Sequence, residues 1–388
     1  MNVVVGSNMH GTEASRTAMV TLNQLVQENA AEGTLWQPLD GYRIRCTACA
    51  HRCPIPVGFA GVCKVRWNRR GKLSVPWGYA VSPQCDPIEK KPFFHVLPGA
   101  LAFTFGMLGC GLHCPYCQNW LTSQALRDPS SYAAPVFATP KGLAQRAVNE
   151  GAAVVVSSYN EPLITAEWAV AIFKEAHQAG LLTGVVSNGY ATPEVLEYLR
   201  PWVDLYKVDL KSFNDRTYHR LGCRLQPVLD SIRLIHKMGF WLEVVTLVVP
   251  GFNDSDEELC QVAEFLAQIS PDIPWHVNAF HQDYKMHASR STSPADLERA
   301  AEIGRNAGLH YVYAGNLAGQ AGSLENTYCI GCGELVIHRR GSHVLDDLLT
   351  REGCCPACSL KIPGVWADPL RRPIRRPGDL PWLVRQCG

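Results

Sequence analysis

Cysteines are the residues of this 388-residue chain best suited to chemistry, because thiolates bind zinc and iron–sulfur clusters. The chain has 16 of them, and most fall into three groups. There is an N-terminal group of four, a central loop with three and a C-terminal group of five: Cys46, Cys49, Cys53 and Cys63; Cys110, Cys114 and Cys117; Cys329, Cys332, Cys354, Cys355 and Cys358. The remaining four, Cys85, Cys223, Cys260 and Cys387, are scattered and are expected to be ordinary small residues.

The cellular compartment decides whether such groups bind metal or form disulfides. The first eleven residues lack the basic and apolar pattern of a signal peptide, and no segment reaches the roughly 18 apolar residues of a membrane span. We therefore expect a cytoplasmic protein without a membrane anchor. Thiols stay reduced there, so clustered cysteines more often bind metal.

The central loop has the spacing C-x3-C-x2-C, formed by Cys110, Cys114 and Cys117. Three thiolates this close can hold three irons of one 4Fe–4S cluster and leave the fourth iron open to an external ligand. A zinc site is the alternative, but it requires four protein ligands. His113, the only nearby candidate, lies between two of the cysteines. The spacing therefore favours an open cluster over zinc.

Alternating strands and helices must position this loop. Helix starts are indicated by Thr139-Pro140, Thr192-Pro193 and Ser293-Pro294, and helix ends by Gly151 and Gly308. The near-continuous apolar strands predict a parallel sheet, and an open doubly wound sheet and a barrel both fit. The predicted strands are short apolar runs at residues 101–107, 152–157, 182–187, 204–210, 241–249, 275–280 and 309–313.

The loop, with Tyr116 before its third cysteine, resembles the cluster motif of the radical S-adenosylmethionine (SAM) superfamily. The resemblance implies a 4Fe–4S cluster whose open iron chelates the amino and carboxylate groups of SAM. It also implies reductive cleavage of SAM to a 5′-deoxyadenosyl radical that abstracts hydrogen, with Tyr116 against the adenine. The implied fold is α/β, a partial (β/α)6 TIM-like barrel with its site at the carboxyl ends of the strands.

The predicted strand ends carry further motifs that resemble SAM-binding segments of this family. The resemblance places Glu161 on the SAM amino group, Lys211 on its carboxylate and His276 near its ribose. Three alternatives stay open: a helix-start acid at Glu161, a salt bridge at the rim for Lys211, and a buried core histidine at 276. The expected SAM-binding residues are Tyr116, Asn160, Glu161, Ser187, Asn188, Asp209, Lys211 and His276.

The two flanking cysteine groups predict closed metal sites. The N-terminal four suffice for zinc or for a second 4Fe–4S cluster, and their spacing does not choose between them. Positive charge is frequent around them, and no acidic residue lies between residues 41 and 85. A solvated face is favoured over a docking surface for an acidic electron donor or RNA. At the C-terminus, Cys329, Cys332, Cys355 and Cys358 form paired knuckles typical of a zinc ribbon, with Cys354 outside them.

The motifs together resemble one subgroup, the radical SAM enzymes of the AmmeMemoRadiSam system, which are close to pyruvate-formate-lyase-activating enzymes. The motifs beyond the loop are Asp86 to Pro92, Trp275 to Met286 and Asn326 to Trp366. The expected units are an N-terminal extension (1–40), a Cys-rich segment (41–98), a radical SAM core (99–318), a zinc-ribbon-like module (319–366) and a disordered Arg-rich tail (367–388).

Several functions are compatible with this sequence. A radical SAM enzyme can activate a partner protein at a glycine, or modify RNA or a small metabolite. It would need a flavodoxin- or ferredoxin-like electron donor, and the resemblance adds the proteins of the AmmeMemoRadiSam system as candidate partners. A non-catalytic zinc or nucleic-acid-binding protein and a simple electron-transfer protein are the alternatives. The net charge of +1 excludes a wholly basic nucleic-acid binder, so nucleic acid is not the favoured partner.

Overall fold

The computed structural model describes residues 2–3 and 20–366. The expected disordered tail and Cys387 lie outside the described residues, as does most of the first half of the expected N-terminal extension. In the described part of the chain, no helix is long and apolar enough to cross a membrane.

The N-terminal part is built from short strands around one short helix. Two strands from residues 30–38 pair with strands of the Cys-rich segment, so these residues extend its sheets. The elements are β1 (Asn2–Val3), β2 (Val20–Thr21), α1 (Leu22–Glu28), β3 (Ala30–Glu32), β4 (Trp36–Pro38), β5 (Ile44–Cys46), β6 (Pro54–Ile55), β7 (Trp67–Arg69) and β8 (Lys72–Pro76). They form a β1-β2 pair and two three-stranded sheets, β3-β8-β7 and β4-β5-β6.

The central part is one nine-stranded sheet with helices between its parallel strands. Its strands are β9 (Tyr79–Pro87), β10 (Leu101–Gly106), β11 (Val136–Phe137), β12 (Val154–Ser157), β13 (Leu182–Ser187), β14 (Leu205–Asp209), β15 (Trp241–Val248), β16 (Trp275–Ala279) and β17 (Val312–Gly315). Its helices are α2 (Trp120–Ser123), α3 (Pro140–Asn149), α4 (Ala166–Gln178), α5 (Pro193–Leu199), α6 (Asp215–Arg220), α7 (Leu225–Lys237), α8 (Asp256–Ile269) and α9 (Pro294–Asn306).

The strand order distinguishes the two sheet types that the sequence left open, a doubly wound sheet and a barrel. The order is β11-β9-β10-β12-β13-β14-β15-β16-β17, and all neighbours from β10 to β17 are parallel. Successive parallel strands are therefore spatial neighbours, whereas a doubly wound sheet reverses its order at a switch point. The sheet winds in one direction, as a barrel-type fold requires.

The helix starts predicted from the sequence are confirmed. Thr139, Thr192 and Ser293 each accept a backbone hydrogen bond with their side chain and are followed by proline in the first turn of α3, α5 and α9. The last predicted strand is shifted by three residues: Leu309 and His310 donate backbone hydrogen bonds to Gly304 and Pro271, so they close the connection after α9 rather than pair in the sheet.

The two faces of the sheet bury different residues. The main core packs on one face, where Val155 and Tyr206 point. Alternation along a strand puts Val154, Val156 and Leu205 on the opposite face, where they pack against an apolar segment that contains Phe93 and Val96. Val154 and Leu205 are the first residues of β12 and β14, so this segment covers the amino ends of these strands on that face.

The C-terminal module is a small antiparallel sheet that packs on the same segment. It consists of β18 (Thr327–Tyr328), β19 (Leu335–Arg340) and β20 (His343–Asp347). Its buried residues Cys329, Ile337 and Trp366 form one cluster with Phe94 and Tyr313 of the central part. Two backbone hydrogen bonds, Leu97 to Val365 and Val365 to His95, both 2.8 Å, complete the junction.

Candidate functional site

The three cysteines of the central loop line one cavity at the carboxyl ends of the parallel strands. The loop follows β10 directly, and its conformation is fixed by a 2.8 Å hydrogen bond from the His113 amide to the Leu221 carbonyl. The cavity has a volume of about 90 Å³ and opens to solvent. Its polar lining combines the cysteines with residues from the ends of three strands, β12, β13 and β14: Asn160, Glu161, Ser187, Asn188, Asp209 and Lys211.

The loop thiols are in an environment that suits a metal cluster. Burial raises the pKa of Cys114 to about 12, and burial together with Glu161 and Cys114 raises the pKa of Cys110. Burial also raises the pKa of Cys117, whose sulfur lies 3.2 Å from the Ser123 hydroxyl. Thiolates, not thiols, bind metal. These sulfurs therefore need the positive charge of bound iron to lose their protons, and no fourth cysteine lines the cavity within the described residues.

Glu161 presents a buried carboxylate to the cavity. It accepts hydrogen bonds from the Ser187 hydroxyl at 2.7 Å, the Asn188 amide at 2.9 Å and the Leu163 amide at 3.1 Å. The last of these caps the short 3-10 turn Pro162–Thr165, so the helix-start role and the cavity position coexist. Burial raises the pKa of Glu161 to about 7 against the effect of these donors. A cationic group in the cavity would favour the ionised form.

Asn160 and Asn188 brace the walls around the cysteine loop. The Asn160 side chain accepts from the Met107 amide at 2.9 Å, which ties the start of the loop to the end of β12. The Asn188 side-chain nitrogen lies 3.8 Å from the Cys110 sulfur, and its oxygen accepts from the Tyr190 amide at 2.9 Å. Both amides therefore hold neighbouring backbone in place at the cavity.

Asp209, the last residue of β14, forms an ion pair with Lys211 just beyond the strand. Lys211 Nζ lies 3.3 Å from Asp209 Oδ2, and Lys207 donates to the other carboxylate oxygen. Burial would raise the pKa of Asp209, but the two lysines lower it to about 2. The side chain of Lys211 is not fully buried, and it lies at the cavity, where it can meet an anionic group.

Tyr116 lies beside the cavity rather than in its lining. It is buried against Phe252, with ring centroids 5.3 Å apart, at the segment that follows β15. Its hydroxyl is buried and has no hydrogen-bond partner within the described residues. An orphaned hydroxyl beside a polar cavity is a group that a bound ligand can satisfy.

Comparison with known proteins identifies the family. The chain is 34% identical over 312 residues to an uncharacterized protein of Methanocaldococcus jannaschii, an alignment that covers 79% of this chain and 91% of that relative. The model of the Radical SAM superfamily matches residues 105–266, from the end of β10 to α8. The chain belongs to the radical SAM superfamily.

Other relatives of this radical SAM enzyme have named activities. A pyruvate formate-lyase-activating enzyme of Clostridium pasteurianum is 25% identical over 228 residues, with 53% of this chain and 89% of that enzyme covered. An isethionate sulfite-lyase activating enzyme of Oleidesulfovibrio alaskensis is 28% identical over 128 residues, and this chain spans only 41% of its length. Among solved structures, a radical SAM methyltransferase from Sphaerobacter thermophilus is 16% identical with a TM-score of 0.44, covering 59% of this chain and 71% of that chain.

The family implies a 4Fe–4S cluster and SAM. The central loop with Cys110, Cys114 and Cys117, which we call the radical SAM loop, fits both. It offers three buried sulfurs in one cavity, a donor set that suits iron. Glu161 and Lys211 offer opposite charges at the same cavity, and the orphaned hydroxyl of Tyr116 lies next to it. The fold is correspondingly the radical SAM fold, α/β with a parallel sheet.

His276 is not brought together with the other predicted site residues. It is the second residue of β16, toward the amino ends of the strands, whereas the cavity is at the carboxyl ends. Its Nε2 lies 2.6 Å from a carboxylate oxygen of the fully buried Glu243, and that carboxylate also accepts from the amides of Phe94 and His95. The structure thus places His276 in the buried core, as one of the two sequence interpretations expects.

Two residues at or next to the cavity were not predicted from the sequence: Tyr159 in its lining and Lys207, which contacts Asp209. Tyr159 follows β12 in a left-handed conformation with φ of 70°, and its hydroxyl contacts Lys91 at 2.9 Å and Gln84 at 2.6 Å. Such strain in a residue other than glycine is concentrated at functional sites, but nothing in the sequence indicates it. Lys207 could have been found, because it lies two residues before Asp209 and so shares its face of β14.

The C-terminal group forms a compact tetrad. The sulfurs of Cys329 and Cys358 are 3.5 Å apart, those of Cys332 and Cys355 are 3.6 Å apart, and all four lie within 4.8 Å of one another. Cys354 is not part of the tetrad. The radical SAM enzyme therefore has a second candidate metal site, far along the chain from its radical SAM loop.

Proposed function

We propose that this protein cleaves SAM reductively at a 4Fe–4S cluster held by Cys110, Cys114 and Cys117, and that it uses the cleavage to abstract hydrogen. The carrying observation is that these three thiols share one cavity with an anchored carboxylate, Glu161, and an ion-paired amine, Lys211. When bound, the cluster and SAM supply one-electron cleavage to methionine and a 5′-deoxyadenosyl radical.

The side chains of the cavity account for recognition of SAM. The Glu161 carboxylate, fixed by Ser187 and the Asn188 amide, would hold the amino group. Lys211 would hold the carboxylate, with Asp209 keeping its ammonium in position. Tyr116 would lie along the adenine and find a partner for its buried hydroxyl. His276 has no part in this proposal.

The favoured hydrogen source is a glycine in a partner protein. Support comes from the relatives that are named activating enzymes. Such an activase would draw its electron from a flavodoxin- or ferredoxin-like donor. The AmmeMemoRadiSam resemblance adds the proteins of that system as candidate partners.

A small polar molecule is the second candidate, and one observation favours it. The Tyr159 hydroxyl at the cavity is contacted by Lys91 and Gln84, and in β16 the buried Asn278 oxygen has no partner within the described residues. A small substrate with hydrogen-bond donors would satisfy this oxygen.

The C-terminal tetrad is proposed to bind zinc. Four thiolates at about 2.3 Å from one tetrahedral ion lie about 3.8 Å from each other. The sulfur separations of 3.5 Å (Cys329–Cys358) and 3.6 Å (Cys332–Cys355) agree with this value. A closed site of this kind stabilises a small sheet that has little core of its own.

Production of 5′-deoxyadenosine tests the main proposal. The protein is reconstituted anaerobically with iron and sulfide, then mixed with dithionite and SAM. We expect 5′-deoxyadenosine from the wild type and from Cys260→Ala, a control outside all three groups, but none from Cys114→Ala. Absence of 5′-deoxyadenosine from fully loaded wild type would contradict the proposal.

Deuterium transfer separates the two candidate substrates. The partner proteins are prepared with deuterated glycine, and candidate metabolites are deuterated in turn. Deuterium in 5′-deoxyadenosine from a labelled protein supports the activase, and deuterium from a labelled small molecule supports the second candidate. Label from neither source, with cleavage intact, would argue against both.

A further inference from the structure

The four N-terminal cysteines form a site to which the proposed function gives no role. Cys46, Cys49 and Cys63 are buried, and Cys53 is partly exposed. Cys46, Cys49 and Cys63 belong to one buried core, and Cys53 packs against it. The Cys46 amide donates to the Cys53 carbonyl at 3.0 Å, so the chain folds back on itself at this group.

Their spacing differs from that of the C-terminal tetrad. Among residues 20–366, the tetrad is the group of thiols whose sulfurs all lie within 4.8 Å of one another, as ligands of a single ion must. Neither the N-terminal four nor the three of the radical SAM loop meet this spacing. In a 4Fe–4S cluster each thiolate binds a different iron, so its sulfurs are further apart than four sulfurs on one zinc. The N-terminal group thus shares the wider spacing of the loop that binds iron in this family.

Two of the N-terminal sulfurs already accept hydrogen bonds. The Arg66 Nε donates to the Cys46 sulfur at 3.2 Å, and the Val62 amide donates to the Cys53 sulfur at 3.5 Å. Arg66 is fully buried and held by Glu167 at 2.7 Å. Hydrogen bonds to cluster sulfurs tune reduction potential, whereas zinc has no redox chemistry to tune.

The N-terminal group packs directly against the radical SAM loop. The His51 Nε2 lies 3.2 Å from the Gly111 carbonyl oxygen. Gly109 has φ of 94°, and a Cβ there would lie 2.9 Å from the Cys63 carbonyl oxygen. Arg127 donates to the carbonyls of both Val62 and Leu112 and so joins the two segments.

The outer surface of the same segment is basic and partly apolar. Tyr42 and Phe59 are 78% and 64% exposed, and Lys64, Arg69 and Arg70 are exposed around them. No acidic residue occurs between residues 41 and 85. Such a surface is complementary to an acidic protein with an apolar contact patch.

We propose that Cys46, Cys49, Cys53 and Cys63 bind a second 4Fe–4S cluster that delivers electrons to the radical SAM loop. One electron leaves a reduced acidic carrier of the flavodoxin or ferredoxin class, reduces this cluster and passes on to the cluster of the loop. No bond is made or broken in either transfer. The second transfer rests on the proposed function, whereas binding of the cluster does not.

Metal analysis of a variant without the catalytic loop ligands tests the binding. Cys110→Ala/Cys114→Ala/Cys117→Ala leaves the N-terminal segment untouched. After anaerobic reconstitution we expect about four irons and four sulfides per chain, with a reduced-state EPR signal that SAM does not change. Adding Cys46→Ala/Cys49→Ala should abolish this iron, and adding Cys260→Ala should not. About two zincs per chain without iron in the triple variant, or no metal at the N-terminal site, would overturn the proposal.

Electron delivery is tested at the docking surface, where no ligand is changed. Lys64→Glu should slow reduction of the loop cluster by reduced flavodoxin at least tenfold at low salt, as followed by freeze-quench EPR, while reduction by dithionite is nearly unchanged. Lys237→Glu, an exposed reversal on α7, is the matched control and should have little effect. Equal rates for Lys64→Glu, Lys237→Glu and wild type would refute electron entry at this surface.

Discussion

At the scale of single residues, the cavity contains charged side chains and neighbouring groups that fix their positions by hydrogen bonds. Glu161 has a buried carboxylate with three hydrogen-bond donors, two of which come from the end of β13. The donors fix its direction, and burial makes its ionised form costly until a cation arrives. The residue is therefore prepared for a positively charged ligand.

Glu161→Gln should weaken SAM binding at least tenfold with unchanged iron content. Glutamine keeps the size and one acceptor oxygen but removes the negative charge, and a hydrogen bond to a charged group contributes about 1.5 to 3 kcal/mol. Calorimetric titration of the reconstituted protein with SAM measures the effect. Glu197→Gln, an exposed change on α5, is the control. An unchanged Kd in Glu161→Gln would remove this residue from the site.

His95 should make stability fall as the solution is acidified. It is fully buried, with its nitrogens 2.6 Å from the Pro363 carbonyl oxygen and from the Tyr313 hydroxyl. Burial lowers the pKa of His95 to about 4. Between pH 6.5 and 4, His95 is therefore protonated in the unfolded chain but stays neutral in the folded chain. The folded state loses stability as the pH falls through this range.

Urea unfolding measures this dependence. From pH 6.5 to pH 5 the histidine should contribute a loss of about 1 to 2 kcal/mol. His95→Gln, which can still hydrogen-bond both partners, should show a shallower loss over the same interval. An identical pH slope in the variant would show that His95 does not control it.

Sequence reasoning at this scale located charged residues at strand ends but not their partners. Asp209 and Lys211 are recognisable because they end an apolar strand, whereas Tyr159 depends on a backbone conformation that no residue pattern reports. His276 shows what a motif cannot predict. The residue pattern identifies the strand, but it does not say whether the histidine lies at the amino or the carboxyl end of that strand. Its distance from the cavity follows from being second in β16.

At the scale of elements, one buried ion pair joins the Cys-rich segment to the helical layer. Arg66 donates to Glu167 of α4 at 2.7 and 2.8 Å, and both side chains are buried. Arg66 also donates to the Ile164 carbonyl at 3.0 Å. Glu167 in turn accepts from the Leu35 amide at 3.4 Å. The pair therefore links three stretches of chain.

Arg66→Met should destabilise the protein by about 3 to 5 kcal/mol, because it leaves the Glu167 charge buried without a partner. Arg66→Met/Glu167→Gln should recover part of this loss, since the uncompensated charge is gone and an acceptor for the Leu35 amide remains. Apparent free energies of unfolding in urea measure both variants. A double variant at least as unstable as Arg66→Met alone would show that the ion pair is not the cause.

Element boundaries were predictable where a local signal fixes them. Thr-Pro and Ser-Pro pairs mark the starts of α3, α5 and α9, because a capping side chain and a proline each suit one position of the first turn. The last strand was misplaced by three residues, since its apolar residues also serve the turn after α9. Barrel-type winding could not be separated from a doubly wound sheet by local pattern, because both use the same strands and helices.

At the scale of the whole molecule, metal at the C-terminal tetrad should stabilise residues 327–366 and should not be needed for the cluster of the radical SAM loop. Cys332→Ser/Cys358→Ser changes the two exposed ligands and should remove about one zinc per chain. Residues 327–366 should then become sensitive to protease, because the small sheet loses its metal. The iron of the radical SAM loop should be retained.

Elemental analysis and limited proteolysis with mass spectrometry check this prediction. Cys354→Ser is the matched control, since it removes an adjacent thiol outside the tetrad. Iron instead of zinc at the tetrad, or protection of residues 327–366 in the double variant, would contradict the assignment.

The junction between the module and the central sheet has a consequence for biosynthesis. His95 and Pro363 are 268 positions apart, yet they contact each other on the inner side of the sheet. A ribosome that has made every parallel strand has still not made the residues that cover Phe94 and complete the bonds of Leu97. The nascent protein therefore has an exposed apolar surface until the C-terminal module is made. Contacts between residues so far apart in sequence form slowly. Metal supply to residues 327–366 would then determine when this apolar surface is covered and protected from aggregation.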